Sequence, residues 1–248
     1  MEISMFESAH LKVERAKQHI DELDAMFASF LAMNKEQIFT YCDPEGGHRS
    51  LGITPLPAPP MFNILVGDIA HNLRSALDHI AGEITSLATS GCQKAIMKSK
   101  FPVSSDPEAF ETAIATHIAP HNARVAAALV SEMKRSNTWQ ANISGLNSLN
   151  NADKHRAVVV VVTAIGLAAE GMRIGGNYVG KIEAVNCGMM FVNMTDQPVE
   201  FEKKPYPTLS VVFGKGEGFE GKPVIDKFRE LTEAITQTIR LCAKNFTV

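Results

Sequence analysis

Phe62-Asn63-Ile64-Leu65-Val66-Gly67-Asp68-Ile69-Ala70-His71-Asn72-Leu73-Arg74-Ser75-Ala76-Leu77-Asp78-His79-Ile80 is the stretch that decides the fold. At about 100° per residue, Phe62, Leu65, Ile69, Leu73, Ala76 and Ile80 share one side of a helix, and Ile84 and Leu87 continue the line. The spacing predicts a helix from about Met61 to Leu87. Opposite lie Asp68, His71, Arg74, Ser75, Asp78 and Gly82, with Asn72 and His79 on the flank. A solvated helix face is normally rich in Lys, Glu and Gln, which favour the helix. Residues 67–82 contain none of the three. Gly67 and Gly82 each cost the helix about 1 kcal/mol against alanine. Such a face predicts cover, by another helix or by a second subunit. Covered polar groups need partners, and Arg74 with Asp78, and Ser75 with His79, stand at the four-residue spacing that lets side chains meet.

Working outward, the second concentration of polar groups is Asn150-Asn151-Ala152-Asp153-Lys154-His155-Arg156, just before an apolar run. Basic residues near a helix C-terminus complement its dipole. That accounts for the sign of the charges but not for Asp153 or the density. A helix contact pairing Asp153 with Arg74, and His155 with Asp78, accounts for both.

The rest of the chain frames these two segments. Phe6, Val13, Ile20, Leu23, Phe27 and Phe30 predict a long first helix over 3–33, and a short strand is expected at Ile38–Tyr41 before a turn-rich stretch. Asp106 and Pro107 form a helix start, two short helices flank Pro120, and another runs over Thr138–Asp153. Residues 157–213 read as an antiparallel meander of about five strands, with alternation in Gly188–Met194 and Leu209–Phe213. A last helix over 223–246 buries Val224, Phe228, Leu231, Ile235, Ile239, Cys242 and Phe246. The expected fold class is α+β. N-terminal helices and the C-terminal helix make a bundle, with the β-meander inserted before the last helix. Residues 1–248 are expected as a single domain, helical over 1–156 and 222–248 and β-rich over 157–221.

Composition narrows the function classes. Hydrophobic residues make up 45% and charged residues 21% of 248, which excludes a disordered chain. No signal peptide and no apolar run of membrane-spanning length is seen, so a cytoplasmic protein is expected. Cys42, Cys92, Cys187 and Cys242 are scattered, without a Cys-x-x-Cys pair, and read as small core residues. The net charge of −3 hides one basic block, residues 117–156, with five basic and two acidic side chains. All eight histidines precede residue 157. This block is too weakly basic to indicate DNA binding by charge.

For a metal, Asp68 and His71 are three apart and His117 and His121 four apart. Pro120 interrupts the second pair, and His71 and Asp78 are about 10 Å apart along a helix, too far for one ion. No Gly-x-Ser-x-Gly occurs, and Gly214-Lys215-Gly216-Glu217-Gly218 lacks the Gly-Lys-Ser/Thr ending of a phosphate loop. No metal and no cofactor is assigned. Arg74-Ser75-Ala76-Leu77-Asp78-His79 resembles the Arg-x4–6-His motif of the HEPN superfamily of helical bundles. In that family two such motifs meet across a dimer and cleave RNA without metal. The resemblance implies RNA as substrate, a homodimer, Arg74 on the scissile phosphate and His79 as general acid or base. His71, Asp78, Asp153 and His155 would support them. Three departures stand out: the motif lies mid-helix, the β-rich segment has no counterpart in the usual bundle, and Arg74 and His79 diverge by about 140° around the axis. Gly67-Asp68, residues 71–79, Phe101-Pro102 and Asn151-x-Asp153-Lys154-His155-Arg156 together also look like the pattern of a bacterial family with no established activity. Two other classes stay open: an interaction or scaffold protein whose polar residues form a structural network, and a metal-dependent enzyme.

Overall fold

The computed structural model describes residues 5–33, 38–42, 49–53, 58–185, 197, 199–203 and 206–246. In chain order they form α1 (Glu7–Met33), β1 (Ile38–Cys42), β2 (Arg49–Ile53), α2 (Pro60–Ala88), α3 (Gln93–Ile96), α4 (Pro107–His117), α5 (Ala123–Arg135) and α6 (Asn137–His155). β3 (Val160–Ile174), β4 (Asn177–Val185), β5 (Val199–Phe201), β6 (Tyr206–Phe213) and α7 (Val224–Asn245) follow. The fold is α+β, with the last helix after the strands.

α1 buries Ala9, Val13, Ala16, Ile20, Leu23 and Phe27, one residue every three or four, and lays that stripe on α2. The two helices run antiparallel. At one end the Phe6 amide donates to Glu83 Oε1 at 2.7 Å, and at the other the Phe27 and Phe62 rings meet edge to face at 4.6 Å. α7 packs against α1, α2, α5 and α6. Its Thr238 hydroxyl accepts from the Trp139 indole at 2.9 Å, which satisfies a polar atom that burial would otherwise orphan. α4 starts at Asp106, whose carboxylate accepts from the Glu108 amide, with Pro107 in the first turn. α6 starts at Ser136, whose hydroxyl accepts from the Trp139 amide. One cluster of buried apolar side chains runs through these helices and on to Val160, Val162, Val211 and Phe213 of the sheet.

The strands depart from a meander. β4, β5 and β6 all pair antiparallel with β3. β3 is fifteen residues long, so it accommodates β6 along Val160–Ala168 and β4 along Gly166–Ile174. Val160 and Val162 face the core while Val159 and Val161 face out. Four strands lie here among the described residues, and Gly188–Met194 falls outside them. β2, inside the turn-rich stretch, was not expected. It pairs with β1 in register from Ile38–Ile53 to Cys42–Arg49. Leu87, expected in the apolar stripe, is 48% exposed, and Cys92 is exposed. Cys242 is buried, which pushes its thiol up to about 12.

The two glycines of α2 differ. A Cβ on Gly67 would sit 2.1 Å from Asp153 Oδ1, so this is where α6 comes close. At Gly82 the nearest atom would be Ser99 Oγ at 3.6 Å, ordinary contact, so the expected tight packing is absent there. Gly82→Ala is therefore predicted to stabilise the protein by up to about 1 kcal/mol. Gly67→Ala should forfeit that gain through overpacking of about 1–3 kcal/mol. Urea unfolding of the pair measures the difference directly.

Candidate functional site

α2 and α6 cross antiparallel, and the polar groups between them follow that register. Arg74 Nε donates to Asn147 Oδ1 at 3.1 Å. His71 Nδ1 stands 3.4 Å from Asn150 Oδ1. The Asp153 carboxylate lies over Gly67. Just past α6, the Val160 amide donates to Asn63 Oδ1 at 3.2 Å. Asn63, Gly67, His71, Arg74 and Asp78 thus form one stripe of α2, met by Asn147, Asn150 and Asp153 of α6.

The inner end of the stripe is closed. Arg74 is 8% exposed, and its Nη2 donates to the Phe101 carbonyl at 3.2 Å. Its Nη1 lies 2.8 Å from Asp78 Oδ1, an ion contact without hydrogen-bond alignment. Asp78 Oδ1 also accepts from the Phe101 amide at 2.9 Å. Arg74 and Asp78 together hold both backbone polar groups of Phe101, a buried residue in a segment with no regular structure of its own. Further along that segment, Gln140 Nε2 donates to the Ser104 carbonyl at 3.1 Å.

The outer end is wet. Asp68 and His71 are exposed, and Asp153 is half-buried. Burial first, and the Asp68 carboxylate second, hold the Asp153 carboxyl above its ordinary range, while His71 pulls the other way. His71 is fixed from both sides. Asn150, 4% exposed, faces Nδ1, and Ser75 Oγ lies 3.4 Å from Nε2. With the amide oxygen toward Nδ1, the contact suits an Nδ1–H donor, which would leave Nε2 as an acceptor for Ser75.

Several expected pairings are corrected by this register. Asp153 does not meet Arg74; it meets Gly67, seven residues and about 10 Å away along α2. His155 does not meet Asp78; it is exposed at the far end of α6. Ser75 turns to His71 rather than His79. His79 is half-buried and has no hydrogen-bond partner among the described residues. Arg156 leaves the group altogether and donates to Glu217 Oε1 at 2.6 Å. That carboxylate side chain, 1% exposed, also accepts from the Val159 amide and ties α6 to the turn before α7. The sequence marks Phe101 only through the Phe101-Pro102 pair, and nothing in the reading of the residues points to Asn147. The three-residue spacing of Asn147, Asn150 and Asp153 is the signal that marks a polar helix face.

Among the described residues, no group of three or more His, Cys, Asp or Glu is arranged to hold a metal ion. No described helix is long and apolar enough to cross a membrane.

Arg74→Ala is predicted to cost about 2–4 kcal/mol, because it leaves the Phe101 carbonyl and Asn147 without their donor and Asp78 without its cation. Arg74→Lys should recover only part of this, since one ammonium cannot reach three partners. Denaturant midpoints measure both. Asp153 carries a second expectation. Its folded carboxyl binds a proton more readily than the unfolded one, so its contribution is fully present in acid and is lost as pH rises through the raised value. Asp153→Asn should therefore be more stable than the parent at neutral pH, and the gap should close below the ordinary carboxylate range. Searched against known proteins, the chain matches no family model, no curated protein and no solved structure.

Proposed function

We propose that the wet end of the stripe is the working part of the molecule, and that it performs acid–base chemistry without a metal. The observation that carries this is the ring of His71. It is exposed, yet its Nδ1 stands against the amide oxygen of the buried Asn150, an arrangement that would leave Nε2, beside Ser75, as the acceptor. Exposed histidines with no purpose are not usually steadied by a buried amide from another helix. Asp153 beside it, with its carboxyl raised by burial and by Asp68, supplies a second group able to exchange protons closer to neutrality. On this reading Arg74 and Asp78 position α2, α6 and the Phe101 segment, and do not touch substrate.

A second reading is the RNA cleavage implied by the Arg-x4-His resemblance, with Arg74 on the phosphate and His79 as acid or base, across a homodimer. The imidazole of His79, without a hydrogen-bond partner among the described residues, favours it. The three engaged nitrogens of Arg74 oppose it, since a phosphate would have to compete with Asp78, Asn147 and the Phe101 carbonyl.

Two measurements decide between these readings. Nitrogen NMR of His71 should show the Nδ1–H tautomer and lose it in Asn150→Leu; a ring protonated at Nε2 in the parent would sink the first reading. Incubation of the parent with single-stranded RNA in EDTA should give no cleavage. Cleavage abolished by Arg74→Lys and by His79→Ala, with both variants folded, would establish the second reading instead.

A further inference from the structure

From the line Ser75–His71–Asn150 we infer a nucleophilic site in which Ser75 Oγ attacks the carbonyl carbon of a small ester. This rests on His71 acting as the base proposed above. The parts sit in the order such chemistry needs: a hydroxyl 3.4 Å from the basic nitrogen, and the opposite ring nitrogen 3.4 Å from an oriented amide oxygen. Hydrogen bonds of this kind are often long in a free site and tighten around substrate. Asn150 is buried while His71 is exposed and Ser75 half-buried, so the orienting group is fixed and the reacting groups are reachable.

The surroundings favour this substrate class. By its angle around α2, Ser75 shares a strip with Asp68, Asn72 and His79, turned away from α6. From the α1 side, Lys12 Nζ donates to Asn72 Oδ1 at 3.4 Å and brings to that strip a cation that would offset negative charge on an attacked carbonyl. The Asp68 and Asp153 carboxylates beside His71 disfavour an anionic phosphodiester but not a neutral ester.

In the acylation step the Ser75 hydroxyl proton passes to His71 Nε2 as the Oγ–carbon bond forms. The bond from the acyl carbon to the alcohol oxygen then breaks, and the leaving alcohol takes the proton from His71. Water, deprotonated by the same nitrogen, hydrolyses the acyl-serine and returns the site to its starting state. No electrons are transferred and no co-reactant beyond water is needed.

The test uses the full chain with p-nitrophenyl acetate, followed by release of nitrophenol, and with diisopropyl fluorophosphate, followed by intact mass and peptide mapping. Label on Ser75 is expected, absent in Ser75→Ala, slowed about 100-fold in His71→Ala and unchanged in a variant of the exposed, distant His117, His117→Ala, with circular dichroism unaltered throughout. Labelling of Ser75 no faster than that of the exposed Ser148 overturns the proposal. If His71 then still shows the Nδ1–H tautomer, the nucleophile alone has failed. If it shows Nε2–H, the base beneath it has failed too.

Discussion

The two-sided grip of Arg74 and Asp78 on the backbone of Phe101 is the constraint that organises this molecule. An irregular segment carries one donor and one acceptor per residue that no helix or strand satisfies. Buried against the bundle, Phe101 has both answered by a single ion pair on α2, the carbonyl by Arg74 and the amide by Asp78. The four-residue spacing of that pair puts guanidinium and carboxylate on one face at the right separation to span one peptide unit. Because Arg74 also donates to Asn147, the same group fixes where α6 lies. Once Arg74 meets Asn147, the antiparallel crossing sets His71 against Asn150 and Gly67 against Asp153. The rest of the stripe has little freedom left.

This explains the odd composition of α2. A flexible Lys or Glu on the face toward α6 would hold the two helices apart, and a Cβ at Gly67 would collide with the Asp153 carboxylate. The helix gives up local propensity at that point in exchange for contact. Gly82 carries no such explanation, since its surroundings leave room for a side chain.

Much of the frame was legible because periodicity reports burial. The apolar stripes of α1, α2 and α7 follow from spacing alone, as do the Asp106 and Pro107 start of α4 and the position of the last helix after the strands. What was not legible was register. Sequence shows that Arg74 and Asp153 each want a partner, but a shift of two helical turns conserves every residue type while changing every pair. Nothing local distinguishes Arg74–Asp153 from Arg74–Asn147; the decision is made by Phe101, whose side chain is not polar and which lies 27 residues along the chain from Arg74. The sheet was missed for a related reason. Alternation reveals that a segment is a strand but not its partner, and a fifteen-residue β3 can receive three others where a meander was expected. Ser75 was paired with the wrong histidine because His71 and His79 are equally distant in sequence; the presence of Asn150 on one side only breaks the tie.

The stripe also has a direction. Its inner end, around Arg74, is buried, with the guanidinium committed to Asn147, Asp78 and the Phe101 carbonyl; its outer end, around His71, is open to solvent. A reacting group needs both conditions within a few ångströms. It must be held within a fraction of an ångström to work, yet remain free to bind something new. Rigid scaffolding at Arg74, passed along two helices to Asn150, gives His71 the first property without removing the second. A catalytic role for Arg74 itself would demand the reverse. The group that holds the helices in register would have to release them to meet a phosphate, and the site would lose its geometry at the moment it was used. The division between a fixed end and a solvent-open end is therefore the physical reason to look for chemistry at His71 and not one turn further in.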